Sequence, residues 1–304
     1  MFILNPDPYL LPDYKISPFQ TKDIAFNNSL PNDTGIDSYF EQRFKGRNFT
    51  YTMNGRSALN KAIAYYKLQK KDTITILTTS GNHYVSSCVT TEIEKFCNWN
   101  REVIAATKLI IVIHEFGYPF KKWDEVLKYN LPVIEDCAYS FFSKDEAGTI
   151  DRTGDFAIYS FPKMFPLQIG GLLTFSKGIA IAGEQWLPDM EEYVKKVLSY
   201  YIKKKEGIIE ARISTYRWFQ QTMKSHGFEE RFSLQAGVVP GVFMFRVHNK
   251  QINLPTLKEY LFKHGIQCSV FYGEDSFFIP AHQALNETDR KYIVAVIQSF
   301  LHEN

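Results

Sequence analysis

The chain carries no surplus of charge. Its 304 residues include 35 Lys and Arg against 33 Asp and Glu, a formal net charge of +2. That balance excludes a nucleic-acid binder held by overall basicity. Cysteine is scarce: Cys88, Cys97, Cys137 and Cys268 are widely separated and form no C-x-x-C pair. Such spacing encodes neither a zinc site nor a disulfide framework. No apolar run approaches the roughly 20 residues of a membrane span. The start, "MFILNPDPYLLPDY", has an apolar patch but no basic lead before it, and it carries prolines and Asp7. It reads as a poor signal peptide, so a soluble, cytoplasmic protein is expected. Repeats and low-complexity tracts are also missing.

What is present is apolar and aromatic: 45% of residues are hydrophobic and 15% are Phe, Trp or Tyr, enough for a large core. Length suggests about one large and one smaller domain, placed at 1–175 and 176–304. The first thirty residues, rich in Pro, Asp and Asn, read as an extended lead-in. "GIDSYFEQRFKG" reads as a helix with Asp37 or Ser38 as N-cap and Gly46 as stop. "NFTYTMN", "TITILTT", "KLIIVIHEFG", "LPVIEDCA", "DFAIYSF" and "GGLLTFS" read as strands. "GRSALNKAIAYYKLQK", "YVSSCVTTEIEKFCNW" and "KKWDEVLKYN" read as the helices between them. This alternation predicts an α/β domain with a mostly parallel central sheet. Beyond 176, "PDMEEY…KSHG" reads as long helix with charged faces, and the lysines at 203–205 as a solvated face. "GVFMFRVH", "TLKEYLFKHG" and "IQCSVFYG" read as strand, helix and strand of a small C-terminal α+β domain.

Ligands of parallel α/β sheets bind beyond the carboxyl ends of the strands. "NGRSAL" places Gly55 at such an end, where the free N–H groups of a helix start suit a phosphate and Arg56 adds a permanent charge. Taken alone it is equally an ordinary helix start. "VIEDCA" ends a buried strand with Glu135 and Asp136, carboxylates that need a partner there: a metal, a ribose hydroxyl, a protonated ring nitrogen, or simply the next turn. His83 and Tyr84 follow another strand, where a planar ligand or the core would use the aromatic face. His114 has no ligand partners at metal spacing and reads as structural. The most informative residue is Lys163, in "YSFPKMFPLQIGG". Its neighbours are Phe161, Pro162, Met164, Phe165 and Pro166, a setting expected to lower the amine's pKa by desolvation and leave it usable as a nucleophile. A loop lysine that snorkels to water is the plainer alternative. A reactive lysine, a carboxylate for a pyridinium nitrogen and a phosphate turn together make the pyridoxal phosphate pattern.

In order and spacing these motifs resemble the DegT/DnrJ/StrS family of pyridoxal-phosphate-dependent sugar aminotransferases. "FEQRF", "NGRSAL", "HYVSS", "IHEFGYP", "VIEDCAY" and "GDFAIYSF" match family segments in sequence, and Gly170 and Gly171 keep the family's distance from Lys163. The resemblance covers about 39–175 and is suggestive in "HGIQCSVFY". It implies the type I (aspartate aminotransferase-like) fold, a homodimer, and pyridoxal 5'-phosphate held by Lys163 as an internal aldimine. It also implies that Asp136 faces the pyridine nitrogen, Tyr84 stacks on the ring and Tyr139 lies near the cofactor hydroxyl. Gly55, Arg56, Ser57 and Ser160 would hold the phosphate. The implied reaction moves an amino group, with glutamate the expected donor, to a nucleotide-linked keto sugar in surface-polysaccharide or modified-sugar synthesis. The alternatives are a dehydratase using the same cofactor, which in the family carries His in place of the lysine, and a non-catalytic paralogue that binds a sugar nucleotide or a protein partner. This chain departs from the pattern in four ways. The gap from Ser160 to Lys163 is two residues short, Ile169 replaces a Glu, Arg56 replaces a small Thr, and a "G-x-N-x-R-M" segment is not found. Arg56 is expected to supply phosphate charge in place of that segment.

Overall fold

The computed structural model describes residues 12–183, 185–186 and 188–303. The beginning of the lead-in, 1–11, lies outside them. Strands β1 (Arg47–Thr52), β2 (Thr73–Thr78), β3 (Asn98–Asn100), β4 (Thr107–Ile113), β5 (Val133–Asp136), β6 (Phe156–Ser160) and β7 (Gly171–Ser176) form one sheet in the order β1-β7-β6-β5-β4-β2-β3. Strands β2 to β6 pair in parallel, while β7 is antiparallel to both β6 and β1. The carboxyl ends of β1, β2, β4, β5 and β6 therefore share one edge.

The apolar runs are continuous because both faces are covered, and successive residues go to opposite sides. In β4, Leu109 and Ile111 pack in one core, and Ile110 and Val112 pack in another. In β6, Phe156 and Ile158 join the first core, while Ala157 and Tyr159 face a second layer. Helices α1 (Lys22–Ser29), α2 (Gly35–Arg43), α3 (Gly55–Tyr65), α4 (Ser87–Glu94) and α5 (Trp123–Leu127) accompany this sheet. Helix α6 (Pro188–Ile202) packs Val194, Val197 and Leu198 into the same core as Phe40 of α2, although it follows residue 175.

Strands β8 (Glu229–Glu230), β9 (Val242–Arg246), β10 (Ser269–Val270) and β11 (Ser276–Pro280) form a smaller antiparallel sheet, ordered β10-β11-β9-β8. One face, with Phe243, Phe245, Phe277 and Ile279, is covered by α7 (Lys205–Lys224), α8 (Leu254–Lys263) and α9 (Glu287–Glu303). The other, with Val242, Met244 and Phe278, packs on Phe116, Tyr118, Tyr84 and Tyr139 of the larger unit. The carboxyl edge of one sheet thus meets the flat face of the other.

Several elements differ from the sequence reading. Helix α2 begins at Gly35, not beyond Asp37, because Asp33 Oδ1 accepts the Gly35 N–H at 2.7 Å and turns the chain earlier. Asp37 is then free to accept from the Tyr51 hydroxyl at 2.6 Å. The lead-in contains the short helix α1, and the helical tract after 176 breaks at Lys203–Lys204 into α6 and α7. There Lys203 pairs with Asp33 at 2.8 Å. The end of "EKFCNW" is strand β3 rather than helix.

The Gly pair has a steric cause. Gly170 has φ +105°, and a Cβ at Gly171 would stand 2.6 Å from the Asn54 carbonyl carbon. The Gly170 N–H donates to Met53 O at 2.7 Å, and the Phe161 N–H to Gly170 O at 3.1 Å. The pair thereby ties the turn before α3 to the turn bearing Lys163. Gly171→Ala is expected to cost about 1–3 kcal/mol by overpacking against backbone that cannot yield. Urea unfolding checks it; an unchanged midpoint contradicts the close approach.

Candidate active site

Lys163 ends a single 3₁₀ turn, Phe161–Lys163, that follows β6 directly, with Pro162 inside it. The short gap from Ser160 is thus closed by one tight turn, and Ile169 packs against the neighbouring apolar core. The Lys163 Nζ donates to the Tyr139 hydroxyl at 3.1 Å and lies 4.8 Å from the centre of that ring. Tyr139 packs between Phe116, at 5.4 Å between ring centroids, and Gly241, where a Cβ would come within 2.3 Å of its Cδ1.

The expected lowering of the lysine's pKa is corrected by this contact. Tyr139, as the nearby oxygen and hydrogen-bond partner, raises the Lys163 pKa and outweighs the downward pull of burial; Asp136 adds to the rise. The apolar neighbours were legible in the sequence, but a phenol 24 positions away was not read as the lysine's partner.

Asp136 ends β5 on the same edge and is buried. Its Oδ1 accepts the Ala138 N–H at 2.9 Å. Burial raises its pKa; that bond and the nearby His114 and Lys163 oppose the rise. A carboxyl whose folded pKa lies above its unfolded value favours folding in its protonated form, so its ionisation costs stability as pH rises through the folded value. Asp136→Asn is therefore expected to stabilise the cofactor-free protein at pH 7. The gain should shrink on acidification and vanish below the ordinary Asp value of about 3.9. Unfolding curves from pH 3 to 8 test this; a pH-independent difference contradicts it.

Glu135, one residue earlier, points the other way and has a structural task. Its Oε1 accepts the Thr153 and Gly154 N–H groups at 2.9 and 2.7 Å. Its Oε2 accepts the Asp151 N–H at 2.9 Å and meets His114 Nε2 at 3.0 Å. His114 Nδ1 accepts the Phe120 N–H at 3.0 Å, so Nε2 carries the proton and donates. His114, Glu135 and Cys137 lie close enough to suggest a metal site. Every His and Glu ligand atom is already engaged, however, and the expectation of a structural His114 matches this arrangement.

At the neighbouring turn, β1 leads into α3 through Asn54, whose Oδ1 accepts the Ser57 N–H at 3.0 Å. A Cβ on Gly55 would lie 3.1 Å from Ser160 Cβ, so the helix start and the end of β6 are in contact. Ser57 and Ser160 are partly buried, and Arg56 is exposed at the same turn. A helix N-terminus beside two hydroxyls and a guanidinium suits a phosphate dianion.

Tyr84 is reached from β2 and is half-buried. Its ring packs on Phe271, just after β10, and Phe278 of β11, and lies 6.4 Å from Tyr272 at 16°. It lies within electrostatic reach of Lys163, and burial raises the pKa of its hydroxyl. His83 is exposed. The structure thus gathers Lys163, Asp136, Tyr139 and Tyr84 at one place, with Gly55, Arg56, Ser57 and Ser160 at the neighbouring turn. The sequence reading missed Arg212, which is fully buried and donates to Lys163 O at 2.8 Å. The signal was present: Arg212 is a lone charge on the buried stripe Ile208, Thr215, Tyr216, Phe219 and Met223 of α7.

A lysine, a buried carboxylate and a helix-start turn of the kind that suits a phosphate thus meet at the carboxyl edge of the sheet, the set of groups a pyridoxal-phosphate enzyme needs. The sequence model of the family described as "Putative PLP-dependent aminotransferase" matches residues 36–230, and the chain belongs to that family. Pyridoxal phosphate is the family's cofactor, and the residues present fit it: a buried carboxylate with a single backbone donor, an amine within its electrostatic reach, and a glycine turn against Ser160.

Solved structures show the same fold. The aminotransferase TlmJ from Streptoalloteichus hindustanus superposes with a TM-score of 0.73 at 13% identity, covering 95% of this chain and 99% of that one. A DegT DnrJ EryC1 StrS aminotransferase from Brucella abortus gives 0.68 at 15% identity, covering 92% and 93%. The E. coli GDP-4-keto-6-deoxy-D-mannose-3-dehydratase, with bound hydrated PLP, gives 0.67 at 14% identity, covering 95% and 100%. No curated protein matches the sequence.

Proposed function

We propose that the chain is a sugar aminotransferase that moves an amino group from an amino acid, glutamate by preference, to a nucleotide-linked keto sugar. The observation that carries this reading is the Lys163 amine held against Tyr139 within the electrostatic reach of Asp136. Bound pyridoxal phosphate supplies an aldehyde for amine exchange and an electron sink. Lys163 Nζ would hold it and would serve as the proton carrier of the site. Asp136 would balance the charge of a protonated ring nitrogen. The Tyr139 hydroxyl aims Nζ, and Tyr84 with the small-sheet aromatics keeps water from the ring face. Gly55, Arg56, Ser57 and Ser160 receive the phosphate.

Retention of Lys163 favours transfer over dehydration, despite the fold shared with a dehydratase. We further propose a large cofactor-binding domain at 1–175 and a smaller one at 176–304, a cytoplasmic homodimer, and a place in polysaccharide or modified-sugar synthesis. Among the described residues, no helix is long and apolar enough to cross a membrane.

The test is spectroscopic, then chemical. Protein mixed with pyridoxal phosphate should gain the visible absorbance of the lysine-bound cofactor, and borohydride should remove it. A keto-sugar nucleotide supplied with glutamate should then yield the amino sugar and 2-oxoglutarate. Protein that stays colourless supports the non-catalytic alternative; a deoxygenated sugar without amine supports dehydration.

A further inference from the structure

Three consecutive carbonyls of the lysine turn are each held by a side chain from outside the large sheet. Ser17 Oγ donates to Pro162 O at 2.7 Å, Arg212 Nη2 to Lys163 O at 2.8 Å, and Gln283 Nε2 to Met164 O at 2.9 Å. These donors come from the lead-in, from α7 and from the segment after β11. Arg212 is the unusual member. Its side chain is fully buried, its Nε has no partner, and no carboxylate of the described residues pairs with it. An uncompensated guanidinium in a dry interior is costly, so stability does not account for it. Its second arm, Nη1, reaches Pro240 O at 3.2 Å. Pro240 precedes Gly241, the residue closing the back of the Tyr139 ring. One planar fork therefore fixes the backbone under Lys163 and the wall behind its hydrogen-bond partner. Tyr139 and buried His282 are the titratable groups near it. Burial and the Arg212 charge hold the His282 pKa down at about 3, while its Nε2 donates to Lys15 O at 2.8 Å. A neutral His282 leaves the guanidinium as the fixed cation there.

We propose that Arg212 is a positioning residue for the reaction, the central member of a three-donor clamp with Ser17 and Gln283 that holds Lys163 Nζ on the Tyr139 hydroxyl. It touches neither substrate nor cofactor and acts through the Lys163 and Pro240 carbonyls. The proposal rests on Lys163 being the cofactor lysine, so its first test uses full-length protein without cofactor. Lys163 is labelled with N-acetoxysuccinimide at pH 8 and its rate read by peptide mass spectrometry. In Arg212→Met, freeing the amine from Tyr139 should raise labelling roughly tenfold, the equivalent of about one pKa unit. The thermal midpoint should change little, because the loss of two carbonyl hydrogen bonds is offset by removing a buried charge that has no carboxylate partner. Tyr139→Phe should raise the rate similarly, and adding Arg212→Met to it should change little. Ser17→Ala and Gln283→Leu should act in the same direction, and they carry the test if Arg212→Met does not fold.

A slower Lys163 would mean that Arg212 acts by through-space charge, and an unchanged rate with a lower midpoint would mean a purely structural role. Either overturns the proposal. With cofactor bound, Arg212→Met should lower kcat by about 10- to 100-fold with little change in the donor's KM. Protein that never binds cofactor, yet shows the labelling pattern, counts against the aminotransferase reading and not against the clamp.

Discussion

Lys163→Ala is expected to lower kcat by about 10,000-fold or more, the scale of loss seen when a covalent catalytic group is removed. The visible band of the lysine-bound cofactor should disappear, while the fold persists. Lys163 is only partly buried and its side-chain bond is to Tyr139, so truncation removes one hydrogen bond and no core volume. A net effect on stability of about 0.5–1.5 kcal/mol follows from that bond. Stopped-flow measurement of amine exchange together with urea unfolding separates the two outcomes. An active Lys163→Ala protein would remove the basis of the proposed chemistry.

Glu135→Gln should do the reverse, damaging the fold before the chemistry. All four contacts at the Glu135 carboxylate come from N–H donors, two at each oxygen. An amide NH₂ in either orientation would face two of them and strand both. Removing one partner from such a buried charged group costs about 3–5 kcal/mol. The loop at 151–154 should lose protection from hydrogen exchange along with the drop in unfolding free energy. Loss of that protection would also disturb Tyr159 and Arg43, which converge on Asp151 from β6 and α2. An unfolding free energy within 1 kcal/mol of the parent, a threshold of roughly one net hydrogen bond, would contradict this account.

The contrast between Glu135 and Asp136 shows how far the sequence could be read. "VIEDCA" announces a buried strand ending in carboxylates, and the turn after "NFTYTMN" announces a helix start, because both depend on neighbours along the chain. Which carboxylate turns toward Lys163 depends on strand alternation and on donors at 151–154, which local pattern does not supply. The six longer strands of the large sheet were legible for the same local reason. The two-residue strands β8 and β10 were not delimited, since pairs so short exist only through their partners in the sheet. Tyr84 was legible as an aromatic at a strand end, but its packing on Phe271 and Phe278 arises from the meeting of two sheets distant in sequence. Arg212 is masked in the sequence by the other charges of its helix, and only its place on the buried stripe of α7 sets it apart.

The lysine turn is gripped by residue 17 near one end of the chain and residue 283 near the other, across separations of 145 and 119 positions. Contacts that distant close last and slowly, because the entropy of long loops must be overcome before they form. If Lys163 holds the cofactor, as proposed, competence to do so arises only when both sheets and the segments around residues 17 and 283 have assembled. Colour development on adding pyridoxal phosphate to refolding protein would then time the final step of folding rather than the first collapse.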